Sequence, residues 1–168
     1  MKINNVLVVS LPNVDGYAKK IAIEQVCKTN VGFLKVNNTQ EFIDVLLDKS
    51  ILADLIVVDG HGECGKFITS YDWEENVSVE NVFNSFNREN CIVLSCACET
   101  FIEQFAEILF RKNITYIAPQ KEIEHTSEFA FVVRFVYELI NNERGIKESF
   151  KLASEIDNET QIFKLIAK

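Results

Sequence analysis

Glycine and proline are scarce in this chain, at six and two of 168 residues. Collagen-like and low-complexity architectures need far more of both and are excluded. No G-x-G-x-x-G stretch occurs, and Gly16, after the first apolar run, opens no phosphate loop. Long apolar runs are missing too. Asp54 interrupts "ILADLIVV" and Arg134 interrupts "FAFVVRFVY", so neither reaches the roughly 20 residues of a membrane span. Met1–Asn5 does not lead into the apolar block of an export signal. Positive charge is also short, with 17 Lys and Arg scattered among 25 Asp and Glu for a formal net charge of −8. Nucleic acid and anionic membrane surfaces are held by clustered Lys and Arg, so neither is an expected partner.

What remains is an ordinary globular composition, 48% hydrophobic and 25% charged. The length suits one domain over residues 1–168 with a full hydrophobic core. Five cysteines is an odd number in a chain without an export pattern. Reduced thiols and a cytoplasmic location are the expectation.

Strand-length apolar runs alternate with runs at helical spacing. Strands are expected at Asn4–Leu11, Val31–Val36, Ala53–Asp59, Cys91–Ser95, Ile114–Pro119 and Gln161–Ala167. Helices are expected at Asp15–Lys28, with Ile21, Ala22 and Val26 on one face, and after a Thr39 cap. A loop rich in glycine and aromatics is expected after Asp59, and further helices at Ser78–Asn87, Phe101–Lys112, Thr126–Asn141 and Ile146–Ser154. This alternation predicts an α/β fold, a mostly parallel six-stranded sheet flanked by helices. Sites in such sheets lie where strands end at the C-terminal edge.

Two strand ends carry reactive side chains. The third strand runs out at "DGHGECG" with His61, and the fourth at "SCACET" with Cys96 and Cys98. If these strands are neighbours, imidazole and thiol face each other across the sheet edge. A free thiol is mostly protonated at neutral pH, and a nearby imidazole raises its thiolate fraction. The N–H groups of Gly62 and of the cysteine would hold the oxyanion of acyl transfer, worth about 3–4 kcal/mol per donor. A helix starting near Phe101 would add positive potential. Two other readings use the same residues. Buried cysteine also serves as a small hydrophobe, the role expected of Cys27 and Cys91. His61, Cys64, Cys96 and Cys98 would together make a Cys₃His zinc set.

The segment "LIVVDGHGECG" resembles the His-Gly segment of the caspase-like cysteine peptidases of clan CD, and "VLSCACET" resembles "VLSACET" of their CHAT branch. The tail from Ile114 continues the likeness, with Phe135, Tyr137, Gly145 and Ala153 in the places of the CHAT pattern and "IFKLIAK" as its closing strand. The resemblance implies a caspase-like three-layer sandwich and a cysteine endopeptidase acting on a protein substrate through a His–Cys dyad. It implies no metal or organic cofactor. Carried over, His61 is the dyad histidine, Gly62 an oxyanion donor and Cys98 the nucleophile. Cys96 is the alternative nucleophile, because this chain has one residue more than the pattern between "LS" and "CET". That extra residue also admits an inactive, caspase-like protein-binding module. Asp15 and Asp59 are candidate substrate-binding carboxylates, and Trp73 with Tyr71 would wall the cleft. The carboxylate run Glu122–Glu128 reads as a solvated face, and His125 as a solvated first-turn residue. With no sensor segment in view, control by an activating partner, by assembly or by cleavage is expected.

Overall fold

A computed structural model describes residues 2–168. The main sheet contains β1 (Val6–Ser10), β2 (Val31–Lys35), β3 (Leu55–Asp59), β7 (Ile92–Ser95), β8 (Thr115–Pro119) and β9 (Phe163–Ile166). Their order is β2-β1-β3-β7-β8-β9; every pairing is parallel except that of β8 with β9. The sheet is sandwiched between helices as expected, with strands close to the predicted runs.

Crossover handedness decides which helix covers which face. The chain steps one way from β1 to β2 and the other way from β2 through β3 and β7 to β8. Right-handed connections therefore put α1 (Gly16–Cys27) on one face. They put α2 (Thr39–Leu47), α3 (Val79–Ser85) and α4 (Ala106–Arg111) on the other. Side chains alternate accordingly. Leu7, Val9, Ile56, Val58 and Val93 pack with Phe42, Phe83 and Leu109. Val8, Leu55, Val57, Ile92 and Leu94 pack against α1, α5 (His125–Ile140) and α6 (Ile146–Ser154). On this second face Phe131 of α5 stacks on Phe163 of β9, with ring centroids 3.8 Å apart.

Four expectations are corrected. The buried stripe of α1 is Gly16, Lys19, Ile23 and Cys27, whereas Val26 is exposed. Asn38 caps α2 through Glu41 N–H, and the Thr39 hydroxyl is bonded to Thr69 instead, at 2.6 Å. Phe101 does not begin a helix. Its N–H donates to Pro119 O, and α4 starts at Ala106 after a single turn of tighter helix at Glu103–Phe105. The segment after β3 is not a plain loop: β4 (Gly62–Glu63), β5 (Lys66–Ile68) and β6 (Asn76–Ser78) form a small antiparallel sheet. Strands of two or three residues are too short to leave a periodic signal.

Candidate active site

The register of β3 against β7 pairs Val58 with Ser95, and Cys96 N–H donates to Val58 O at 2.8 Å. The two strand ends are therefore neighbours, and the His61 and Cys98 segments leave the sheet side by side. A Cβ built on Gly62 would lie 2.5 Å from the Cys98 carbonyl oxygen and 2.8 Å from Thr100 Cγ2. Only glycine allows this contact.

Each loop is fixed by its own bonds. Ser95 and Thr100 hydroxyls meet at 2.7 Å, Ala97 N–H donates to Ser95 Oγ, and Thr100 Oγ1 donates to Ala97 O. The buried Tyr116 hydroxyl caps the turn by donating to Thr100 O at 2.9 Å. Glu99 adopts φ 56°, a left-handed conformation that costs a non-glycine residue roughly 1–2 kcal/mol. That conformation lets its carbonyl accept from Gly65 N–H and its carboxylate from Cys64 N–H, both at 2.9 Å. Glu99 thus ties the cysteine loop to the histidine loop, a role its sequence position did not signal. An open groove of about 590 Å³ runs beside this tie, lined by Gly65, Glu99, Phe101, Ile102 and Gln120.

The dyad candidates are close in the chain trace but not bonded to each other. Among the described residues no hydrogen bond joins His61 to Cys98. The imidazole instead lies against the Trp73 indole, with ring centroids 4.7 Å apart and planes tilted by 31°. Trp73 sits at the β5–β6 tip with φ 67°. That tip is anchored by Asn13 Nδ2 on Tyr71 O and by the Tyr71 hydroxyl on Asn37 Oδ1. The Cys98 thiol is partly buried, and burial pushes its pKa up. The Ile123 N–H opposes this, while the charges of Glu122, Glu128 and Glu99 add to it. No helix N-terminus at Phe101 offsets it.

Other candidates fall elsewhere. Cys96 is 5% exposed and points to the α1 and α5 side of the sheet, where burial first and Glu128 second push its thiol far up. Cys96 is thus enclosed between the sheet and the helices, whereas Cys98 is partly exposed at the sheet edge. The same placement dissolves the Cys₃His set. Among the described residues Cys96 groups instead with Asp59 and Glu128. Asp59 is 4% exposed and bound to Lys19 at 2.6 Å, so it faces no substrate. Asp15 is exposed and caps α1 through Tyr17 N–H. Tyr71 and Trp73 are both half-exposed, as wall residues would be. His125 is solvated, but Glu128, expected on the solvated face, is buried. Lys19 and Glu128 were missed. The available signal was a lysine at i−4 and i−8 from Ile23 and Cys27, on what is the buried stripe of α1.

No family model matches the sequence, and no curated protein matches it. Solved structures do match in shape. The Arg-specific cysteine proteinase gingipain R (RgpB) superposes with a TM-score of 0.63 at 12% identity, over 99% of this chain and 46% of that one. The complex of Porphyromonas gingivalis RgpB pro- and mature domains gives 0.60 at 14% identity, over 95% and 45%. This chain thus spans less than half the length of either. The fold is the caspase-like α/β sandwich that these cysteine proteinases share. No helix among the described residues is long and apolar enough to cross a membrane.

Proposed function

We propose that the protein is a caspase-like cysteine endopeptidase of the CHAT type, with His61 and Cys98 as its dyad. The observation that carries this reading is the seat of Gly62 against the Cys98 carbonyl, which brings the histidine and cysteine loops into contact. His61 takes the thiol proton and the Cys98 sulfur attacks the scissile carbonyl carbon. The oxyanion is held by the N–H groups of Gly62 and Cys98. Imidazolium then protonates the leaving amine, and a water deprotonated by the same ring releases the acyl group. The groove along Glu99 and Ile102 would carry substrate residues beyond the scissile bond.

The stacked imidazole and the raised thiol describe a resting state. An activating partner, assembly or cleavage would release His61 from Trp73. An exposed aromatic stack is worth about 0.5–1.5 kcal/mol, so Trp73→Ala should speed alkylation of Cys98 about twofold to tenfold. Unchanged or slower alkylation would make Trp73 a cleft wall only.

A second reading, a binding module without peptidase activity, is favoured by the missing His61–Cys98 hydrogen bond. Incubation with a proteome-derived peptide mixture separates the two. Cleavages that vanish in both Cys98→Ala and His61→Ala are expected of the peptidase. The same peptides left intact by the parent protein and by Trp73→Ala would favour the module.

A further inference from the structure

The ends of β3 and β7 are held from beneath by a buried charged group that takes no part in the chemistry above. Lys19, the fourth residue of α1, is 1% exposed. Its ammonium donates to Asp59 Oδ1 at 2.6 Å and lies 3.0 Å from Glu128 Oε2. Asp59 closes β3 two residues before His61, and Cys96 follows β7 two residues before Cys98. The side-chain donor atoms of Asp59, Cys96 and Glu128 all lie within 4.8 Å of one another. A buried ammonium is costly unless paired. Burial works against the charge on Lys19, but the carboxylates of Glu128 and Asp59 and the hydrogen bond to Asp59 outweigh it and hold its pKa above the ordinary value. The ammonium is the resident cation of an acidic pocket.

Glu128 extends the reach of that cation. It lies in the first turn of α5, and its carboxylate is within 4.8 Å of the sulfur of Cys96, two residues before Cys98. Glu128 Oε1 is buried without a hydrogen-bond partner, and its other neighbour, His125, is largely exposed. Lys19 is therefore the charged contact that orients this carboxylate, beside the Cys96 thiol. One ammonium touches the strand that delivers His61 and the helix whose first turn meets Cys96, two residues before Cys98. Misplacement of a reacting pair by about 1 Å can lower a rate about a hundredfold.

We propose that Lys19 is a positioning residue for the His61–Cys98 pair, acting through Asp59 on one side and Glu128 on the other. This rests on the dyad reading above. The probe is iodoacetamide near neutral pH on the full chain carrying Trp73→Ala, which frees His61 from its stack, with Cys98 labelling followed by mass spectrometry. The readout is the ratio of labelling rates with His61 present and replaced by alanine. That ratio should be about twofold to tenfold with Lys19 in place. It should fall to about one in folded Lys19→Met and recover in Lys19→Arg, which restores the charge. A merely structural role would lower the melting temperature and leave the ratio untouched, and that result overturns the proposal. Should Lys19→Met not fold, the nearly isosteric Asp59→Asn carries the same comparison, and a ratio that survives there overturns it equally. If His61→Ala changes nothing even with Lys19 present, the dyad reading has failed and the positioning role falls with it. A collapse seen only on replacing Lys19 or Asp59 is the separate signature of positioning.

Discussion

Native protein treated with iodoacetamide should carry label first on Cys64 and then on Cys98, with Cys96 modified at least about a thousandfold more slowly than either. The order follows from exposure and charge. Cys64 is exposed, Cys98 is partly buried with its pKa raised, and Cys96 is enclosed between the sheet and the helices α1 and α5. A reagent reaches Cys96 only when that layer opens. Opening the core of a folded domain costs roughly 5 kcal/mol or more, which is a factor above about a thousand in the open population. Cys27 and Cys91, whose thiols burial pushes to about 11 and about 12, should be protected with it. Peptide mapping after short exposure gives the answer directly. Early label on Cys96 alongside Cys98 would mean that the β7 end opens easily and would keep Cys96 in contention as a nucleophile.

That prediction shows where sequence reasoning stopped. Motif alignment from the "ACET" side puts Cys98 in the nucleophile slot, whereas alignment from the "VLS" side puts Ala97 there with Cys96 one residue before it, and nothing in the letters decides between them. The pleat sends the two thiols to different places. Ser95 is the last strand residue, and the next residue, Cys96, continues the inward alternation of Ile92 and Leu94. The turn that follows, tied by Ser95 and Thr100, brings Cys98 out at the edge. The strand runs, the mostly parallel sheet and the helices flanking it were legible because the apolar period acts on long segments. The Trp73 stack, the Glu99 tie and the β4–β6 sheet were not. Each depends on a few residues in left-handed or very short extended conformations, selected by contacts far apart in the chain. Lys19 was hidden for a different reason. A lone lysine in a helix is normally solvated, and only the positions of Asp59 and Glu128 across three elements make its burial tolerable.

Lys19→Met should be the most destabilising change in that buried cluster, at about 3–5 kcal/mol near neutral pH. Deleting either carboxylate leaves one ammonium facing one carboxylate, a matched pair. Deleting the ammonium leaves Asp59 and Glu128 facing each other, both almost fully buried. The penalty must then depend on pH. Burial, outweighing the attraction of Lys19, already raises the Glu128 pKa above its usual 4.5 in the parent protein. A raised carboxyl binds its proton more tightly in the native than in the unfolded chain. Its contribution is therefore fully present below the unfolded pKa and is lost as pH rises through the native one. Removing the ammonium takes away that attraction and raises the Glu128 carboxyl further. The deficit of Lys19→Met against the parent should be smallest near pH 4, where Glu128 is protonated, and should grow toward neutrality. Urea midpoints at a series of pH values between about 4 and 8 measure it. Glu128→Gln, which removes the surplus negative charge, should show a much smaller loss at neutral pH. A deficit of equal size at every pH would assign the cost to lost packing of the lysine stem, and the cation would then be incidental to the stability of the strand ends it joins.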